Sequence, residues 1–414
     1  MVSGGEVIVK SLIEEGVDTV FGLPGTHVLG LYVALYDYRE RIRHVLGRFE
    51  PSMGFMADGY ARASGRVSVL ISTAGPGATG LVTPLAQAAV EGIPIVALAG
   101  LTPIKTAGKG YYHEFRDANA QLSIFKPFTK LAIRAEEPKE IPKILTKAFR
   151  VAREGRPGPV YVELPRDVIE SETEWIGYTK EEPVRIKPDA GLVDLAVKEL
   201  LNAERPVIYV GGGTITANAS DALIRVAEEL GAPVVTSVMG KGAIPFDHPL
   251  HGGLAAGYFG DTVAVKLIEN ADVVLAIGTR FSELGTGMWS LPIRGRLIHV
   301  NVDPNDIGKN YKTDLAIISD ALEFLNALYD RVRGRSPGRD RGVKMINEVR
   351  ASVGNQQLRE LGYDESRINP SDLVRALAHV IDSDMREGKA VVTCDAGGNQ
   401  VAMFELPVYK PRTY

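Results

Sequence analysis

Short, almost uninterrupted apolar runs recur along this chain, and stretches of helical period separate them. Residues 19–21, 67–73, 95–99 and 160–164 form one series, and residues 207–210, 233–237, 272–277 and 297–302 form a second. A strand with one wet face alternates apolar and polar residues. These runs do not alternate, so they read as parallel strands covered on both faces. Parallel neighbours need long crossovers, which helices supply. The expected fold is therefore α/β. Two doubly wound parallel-sheet domains are expected over residues 1–172 and 190–333, with the start of a third α/β domain over residues 343–414.

Local signals place several elements. Ser3 and Glu6 have the spacing of a capping box, Val9, Leu12 and Ile13 give the following helix an apolar face, and Gly16 ends it. Helices are expected from Ala78 and over residues 141–153. Residues 172–188 are polar, with Pro183 and Pro188, and read as a linker. Residues 333–342, rich in Arg and Gly, read as a second linker. Beyond it, Pro370-Ser371-Asp372 opens a helix with Leu373, Leu377 and Val380 on one face, and residues 390–393 read as a strand.

Composition narrows the function classes. A net charge of −4 gives no basic footprint for nucleic acid. The single cysteine, Cys394, builds neither a disulfide framework nor a cysteine metal site, and fits a reducing, cytoplasmic setting. No basic-then-apolar leader is visible, and the apolar run at residues 93–101 is broken by Pro94 and far too short to span a bilayer.

One stretch carries chemistry. Residues 44–65 read His-Val-Leu-Gly-Arg-Phe-Glu-Pro-Ser-Met-Gly-Phe-Met-Ala-Asp-Gly-Tyr-Ala-Arg-Ala-Ser-Gly. A short strand leads to Glu50, and Pro51 suits the first position of a helix. Met53, Met56, Tyr60 and Ala61 then recur at helical spacing. Glu50 is thus expected at a strand-to-helix junction, near the positive end of a helix dipole. Taken alone, it reads as an exposed capping acid.

The pattern from Arg48 and Glu50 through Ala57-Asp58-Gly59-Tyr60-Ala61-Arg62 to Ser64-Gly65 resembles the pyrimidine-binding domain of thiamine diphosphate enzymes. The similarity is to the acetolactate synthase and pyruvate oxidase group. It implies that Glu50 bonds to N1′ of the aminopyrimidine, as a catalytic and cofactor-binding residue. A carboxyl group in an apolar cleft has a raised pKa and can exchange a proton there, which lets the cofactor act as an electron sink. By the same resemblance, Pro24-Gly25-Thr26-His27 is the first active-site loop, with Pro24 and Gly25 beside the cofactor and His27 near substrate. Thr73, Gly75, Pro76 and Gly77 match the loop beside the pyrimidine ring; Gly80 stands where the family usually has Asn. His113, in Tyr111-Tyr112-His113-Glu114, replaces the Gln of acetolactate synthases and resembles related decarboxylases; His113 and Glu114 are candidates for moving protons on a substrate adduct. Lys130 reads as structural. Arg156 reads as a turn residue, although the resemblance admits a flavin phosphate there.

Residues 239–245 and 278–281 resemble the family's central domain, and residues 395–400 resemble the opening of its diphosphate-binding domain. Gly211-Gly212-Gly213 lacks the dinucleotide spacing and reads as a tight strand-to-helix turn. The family's Gly-Asp-Gly motif, which holds Mg²⁺ and the diphosphate, does not occur in this sequence. No metal ligand is assigned here; the Mg²⁺ ligands are expected from a missing or separate segment, and FAD is admitted as a second cofactor.

The resemblance thus implies part of an enzyme of 2-oxo acids, most similar to acetolactate synthase of branched-chain amino acid biosynthesis. Such an enzyme decarboxylates pyruvate and joins the fragment to a second carbonyl. Two alternatives stand: a 2-oxo acid decarboxylase, and a non-catalytic binding or regulatory subunit or disrupted gene product. Neither nucleic acid nor membrane is expected as a partner. A homo-oligomer, or a hetero-oligomer with a chain carrying the diphosphate motif, is expected, with Glu50 near an interface and the isolated chain inactive.

Overall fold

The computed structural model describes residues 1–335, 338–353 and 368–414. The chain divides into two compact units, Met1–Val184 and Arg185–Tyr414.

In the first unit, strands β1 (Val2–Ser3), β2 (Thr19–Gly22), β3 (Arg43–Leu46), β4 (Ser68–Ser72), β5 (Ile95–Leu101), β6 (Leu131–Arg134), β7 (Val160–Pro165) and β8 (Glu172–Thr173) follow in order. Six of them form one sheet in the order β3-β2-β4-β5-β7-β6, and every pairing is parallel. Strands β4 and β7 are buried at every position, as their unbroken apolar runs require. Strand β6 was not foreseen; all its residues are half-buried, and its apolar run, Leu131 to Ile133, is only three residues long.

The capping box at Ser3 and Glu6 closes both ways, at 3.0 and 3.2 Å, and opens the helix Gly4–Glu15. Gly16 ends it in the left-handed conformation, φ 96°. Residues beyond 172 do not leave this unit at once. Strand β8 pairs antiparallel with β1. Trp175 and Tyr178 then pack against the same core.

The helix after β3 spans Glu50–Ser64, with Glu50 at its first position and Pro51 at its second. Its buried face is Met53, Gly54, Ala57, Asp58 and Ala61. Met56, expected on that face, is exposed. On the buried face, Gly54 lies close against Pro84 of the helix Val82–Glu91. A Cβ on Gly54 would lie 2.2 Å from Pro84 Cγ and 2.4 Å from its Cβ. We therefore expect Gly54→Ala to destabilise the first unit by about 1–3 kcal/mol, read as a lower unfolding temperature; an unchanged value would show that the two helices separate without cost.

The second unit carries β9 (Pro206–Val210), β10 (Val234–Thr236), β11 (His251–Leu254), β12 (Val273–Ile277), β13 (Arg296–Asn301) and β14 (Leu315–Ile318). Their order is β11-β10-β9-β12-β13-β14, again all parallel. Strands β11 and β14 were missed: β11 begins His-Gly-Gly, and β14 is buried only at alternate residues.

Of residues 333–342, Ser336 and Pro337 lie outside the described residues, and Arg341 is held to the second unit rather than free. Arg341 donates to the carbonyls of Ala203 and Leu230. The helix Asp340–Val353 then sends Met345, Ile346 and Val349 into the core beside β9 and β12.

The helix Pro370–Glu387 forms as expected, but with another face inward. Leu373 and Val380 are 59% and 79% exposed, while Val374 and Met385 are buried. Met385 packs with Val408 and Tyr409, so the returning tail decides which apolar stripe is covered. Residues 390–393 form no strand; Val392 makes a single backbone bond to Thr413. The tail is tied down by Lys241, whose buried ammonium donates to the carbonyls of Met403, Phe404 and Leu406 at 3.3, 2.7 and 2.9 Å. No helix among the described residues is long and apolar enough to cross a membrane.

Candidate active site

Loops leaving the carboxyl ends of β2, β3, β4 and β5 gather at one edge of the first sheet. Ligands of doubly wound sheets bind at this edge, where strand order reverses, and here the order reverses between β2 and β4. Every sequence-predicted site residue of the first unit lies on these loops or on the loop after β5.

Glu50 follows β3. Its side chain is half-buried at the first turn of its helix, and among the described residues no donor pairs with its carboxylate. The turn after β4 lies against it. A Cβ on Gly77 would sit 3.5 Å from Glu50 Oε1, and one on Gly80 would sit 2.8 Å from Glu50 Cβ. The carboxylate is therefore flanked by bare backbone and left free to bond a flat ligand.

Pro24 and Gly25 follow β2, and a Cβ on Gly25 would meet the Thr73 side chain at 2.4 Å. His27 lies just beyond and is 1% exposed. Its Nε2 donates to the Tyr112 carbonyl at 3.0 Å, which leaves Nδ1 to accept from the Thr73 hydroxyl at 3.2 Å. Burial lowers its pKa, against the opposing pull of the Tyr112 carbonyl. His27 is thus a neutral brace between the loops after β2, β4 and β5.

Gly75 turns at φ 61°, ψ −119°. His113, itself at φ 66°, covers it: a Cβ on Gly75 would be 2.8 Å from His113 Cβ. The His113 ring stacks on Tyr112 at 3.8 Å and lies 5.7 Å from that of His27. Its Nδ1 is buried and has no hydrogen-bond partner among the described residues. Glu50 and His113 therefore flank the same turn, 73–77.

Other candidates are placed differently. Glu114 is bonded within its own loop. Its exposed carboxylate accepts from the amides of Gly108 and Tyr111, which hold its pKa below the ordinary value. Lys130 is exposed and donates to the Glu154 carbonyl, as a structural residue. Arg156 donates to the Val90 carbonyl and serves its turn. Gly211 and Gly213 pack against Gly278, so the tight-turn reading of that triplet accounts for these two glycines.

Sequence reasoning missed Gln121 and the pair Arg134–Glu163. Gln121 is buried behind Gly75 and bonds its amide. Arg134 donates from Nε to Glu163 at 2.8 Å and from Nη2 to the Ala118 carbonyl at 2.7 Å. Burial raises the Glu163 pKa, and Arg134 opposes the rise.

The thiamine pyrophosphate enzyme N-terminal TPP binding domain matches residues 2–122, and the thiamine pyrophosphate enzyme central domain matches residues 193–328. A probable acetolactate synthase large subunit of Methanocaldococcus jannaschii is 37% identical over 427 residues, spanning 99% of this chain and 70% of its own length. This chain belongs to the thiamine pyrophosphate enzymes. The acetolactate synthase large subunit of Corynebacterium glutamicum is 37% identical, spanning 100% of this chain and 65% of its own. For the acetolactate synthase isozyme 3 large subunit of Escherichia coli the figures are 34%, 100% and 72%.

Thiamine diphosphate is the cofactor of these enzymes, and the first unit fits its ring half. The unpaired Glu50 carboxylate and the bare backbone at Gly77 and Gly80 are what a flat nitrogen heterocycle needs. Among the described residues no three His, Cys, Asp or Glu side chains gather in one place.

Proposed function

We propose that this thiamine pyrophosphate enzyme takes part in acetolactate synthesis, decarboxylating pyruvate and joining the fragment to a second 2-oxo acid. The observation that carries the site assignment is the unpaired Glu50 carboxylate beside the glycine turn after β4. Thiamine diphosphate, when bound, supplies the electron sink. Glu50 holds a proton at the ring's N1′. Gly75, Pro76 and Gly77 support the ring through backbone, with Pro24, Gly25 and Thr73 as the adjoining wall. His113, with its unpartnered Nδ1 beside this turn, faces substrate and moves a proton there, while His27 keeps the loops in place.

Mg²⁺ and the diphosphate contacts come from residues other than those described. In this reading the setting is cytoplasmic, and the protein assembles with further copies or a second chain, bringing Glu50 near a subunit interface. We assign FAD, as a second cofactor, to the carboxyl edge of the second sheet. Its strand order is the dinucleotide-binding one, with the reversal between β9 and β12.

His113 also favours a second reading, a plain 2-oxo acid decarboxylase, because an imidazole at this turn can protonate the decarboxylated fragment. The test is calorimetry of the full-length protein with thiamine diphosphate and Mg²⁺, followed by product analysis from pyruvate. Acetolactate supports the first reading, and acetaldehyde alone the second. Cofactor binding without either product moves the protein to a non-catalytic role. Flavin absorbance of the purified protein tests the FAD placement.

A further inference from the structure

We propose that Gln121 is a positioning residue of this edge: it holds the Gly75 turn in its unusual conformation and so sets where the 73–77 backbone and His113 stand. The proposal rests on the reading that this edge takes the aminopyrimidine ring.

Gly75 lies in a region of backbone space that L side chains rarely adopt. Such a turn persists only if its surroundings over-determine it. The Gly75 N–H has one acceptor, Gln121 Oε1 at 2.8 Å, and the bond is buried. Gln121 Nε2 donates to the Gly100 carbonyl and to the Tyr161 hydroxyl, each at 3.0 Å. These partners fix the amide's orientation. Flipping it would set NH₂ against the Gly75 N–H and oxygen against the Gly100 carbonyl, two like pairs.

The frame behind the amide is rigid. Tyr161 is fully buried and stacks on Phe125 at 3.8 Å. Gly100 lies near the end of β5, paired with Leu164 of β7. A Cβ on Gly100 would lie 2.9 Å from His27 Cβ, and a Cβ on Gly75 would lie 2.8 Å from His113 Cβ. One side chain therefore ties the strand end beneath His27 to the turn beneath His113. Gln121 itself is 1% exposed with its polar atoms already engaged, so it acts through the turn and does not touch a ligand.

The test uses Gln121→Met, which keeps the bulk and removes the three hydrogen bonds, and Gln121→Glu, which keeps the acceptor. Without cofactor, amide hydrogen exchange at Gly75 should quicken about tenfold or more in Gln121→Met, the loss expected for a buried hydrogen bond, while residues 95–99 exchange as in wild type. With thiamine diphosphate bound to the full-length protein, exchange of its C2 proton should slow about tenfold, with a smaller change in cofactor affinity. Gln121→Glu should recover as pH falls, because only the protonated carboxyl can both accept from Gly75 and donate to Gly100; Glu163 and Tyr161 of β7 face this position, with Arg134 and Lys126 acting on Glu163, so the same titration in a Glu163→Gln background isolates the response of residue 121.

Wild-type exchange at Gly75 and at C2 in Gln121→Met, even with a lower unfolding temperature, would make Gln121 a stabilising core amide and overturn the proposal. If Gln121→Met fails to fold, the pH response of Gln121→Glu decides in its place, and a flat response overturns the proposal. If neither wild type nor Glu50→Gln affects C2 exchange, the cofactor reading of the edge fails instead, and Gly75 exchange still decides whether Gln121 holds the turn.

Discussion

Glu50→Gln is expected to slow C2 proton exchange of thiamine diphosphate bound to the full-length protein by about a hundredfold or more. General acid–base groups contribute about 10²–10⁴ in rate. Gln keeps the shape and still hydrogen-bonds a ring nitrogen, but it cannot pass a proton to it. The fold should barely notice. Among the described residues the carboxylate has no donor to lose, so only its attraction to the first turn of its helix disappears. That attraction is worth about 0.3–1 kcal/mol. The unfolding temperature should drop by a few degrees at most, and cofactor should still bind. Isotope exchange followed by nuclear magnetic resonance, with a thermal melt on the same sample, separates the two effects. Wild-type exchange in Glu50→Gln would remove Glu50 from proton transfer at N1′.

The sheets were legible where strands are buried on both faces. The runs behind β4, β5, β9 and β12 each became a fully or almost fully buried central strand. Strands β6 and β14 sit at sheet edges, half-buried or alternately buried, and their apolar runs are only three and four residues long. Helical periodicity failed in a different way. The helix Pro370–Glu387 holds two apolar stripes, one through Leu373, Leu377 and Val380 and one through Val374, Ile381 and Met385. Sequence cannot say which stripe the tail at Val408 and Tyr409 will cover.

The site divided along similar lines. Glu50 was readable because its motif is local: strand, acid and helix are contiguous. Gln121 stands in the sequence as a lone polar residue between Ala120 and Leu122, with no motif around it. Its burial arises only when β5, β7 and the turn after β4 converge, from 21 to 46 residues away in sequence. The pair Arg134–Glu163 is equally non-local, joining β6 to β7. Such partners leave no spacing pattern, and sequence offers no sign of them beyond a charged residue inside an apolar run, as Glu163 is between Val162 and Leu164.

That pair carries the largest stability effect expected in the first unit. Glu163 is fully buried, and Arg134 is its ion-pair partner at 2.8 Å. Arg134 also grips the Ala118 carbonyl, which anchors the loop bearing His113. Arg134→Met leaves a buried carboxylate without its cation. Breaking a buried pair on one side costs about 3–5 kcal/mol, or roughly 10 °C in unfolding temperature for a unit of this size. The pH dependence follows from the direction of the Glu163 shift. Burial already raises its folded-state pKa above the unfolded value, and losing Arg134 raises it further. As pH falls, the folded protein takes up this proton before the unfolded chain does, so stability rises. The deficit of Arg134→Met should therefore be largest at neutral pH and shrink as pH falls through the folded-state pKa. Adding Glu163→Gln should restore most of the loss at neutral pH, because the buried charge is gone. Thermal melts of the two single variants and the double variant across this pH range form the test. A single Arg134→Met variant as stable as wild type at neutral pH would show that Glu163 is already uncharged in the folded protein and that the pair contributes nothing electrostatic.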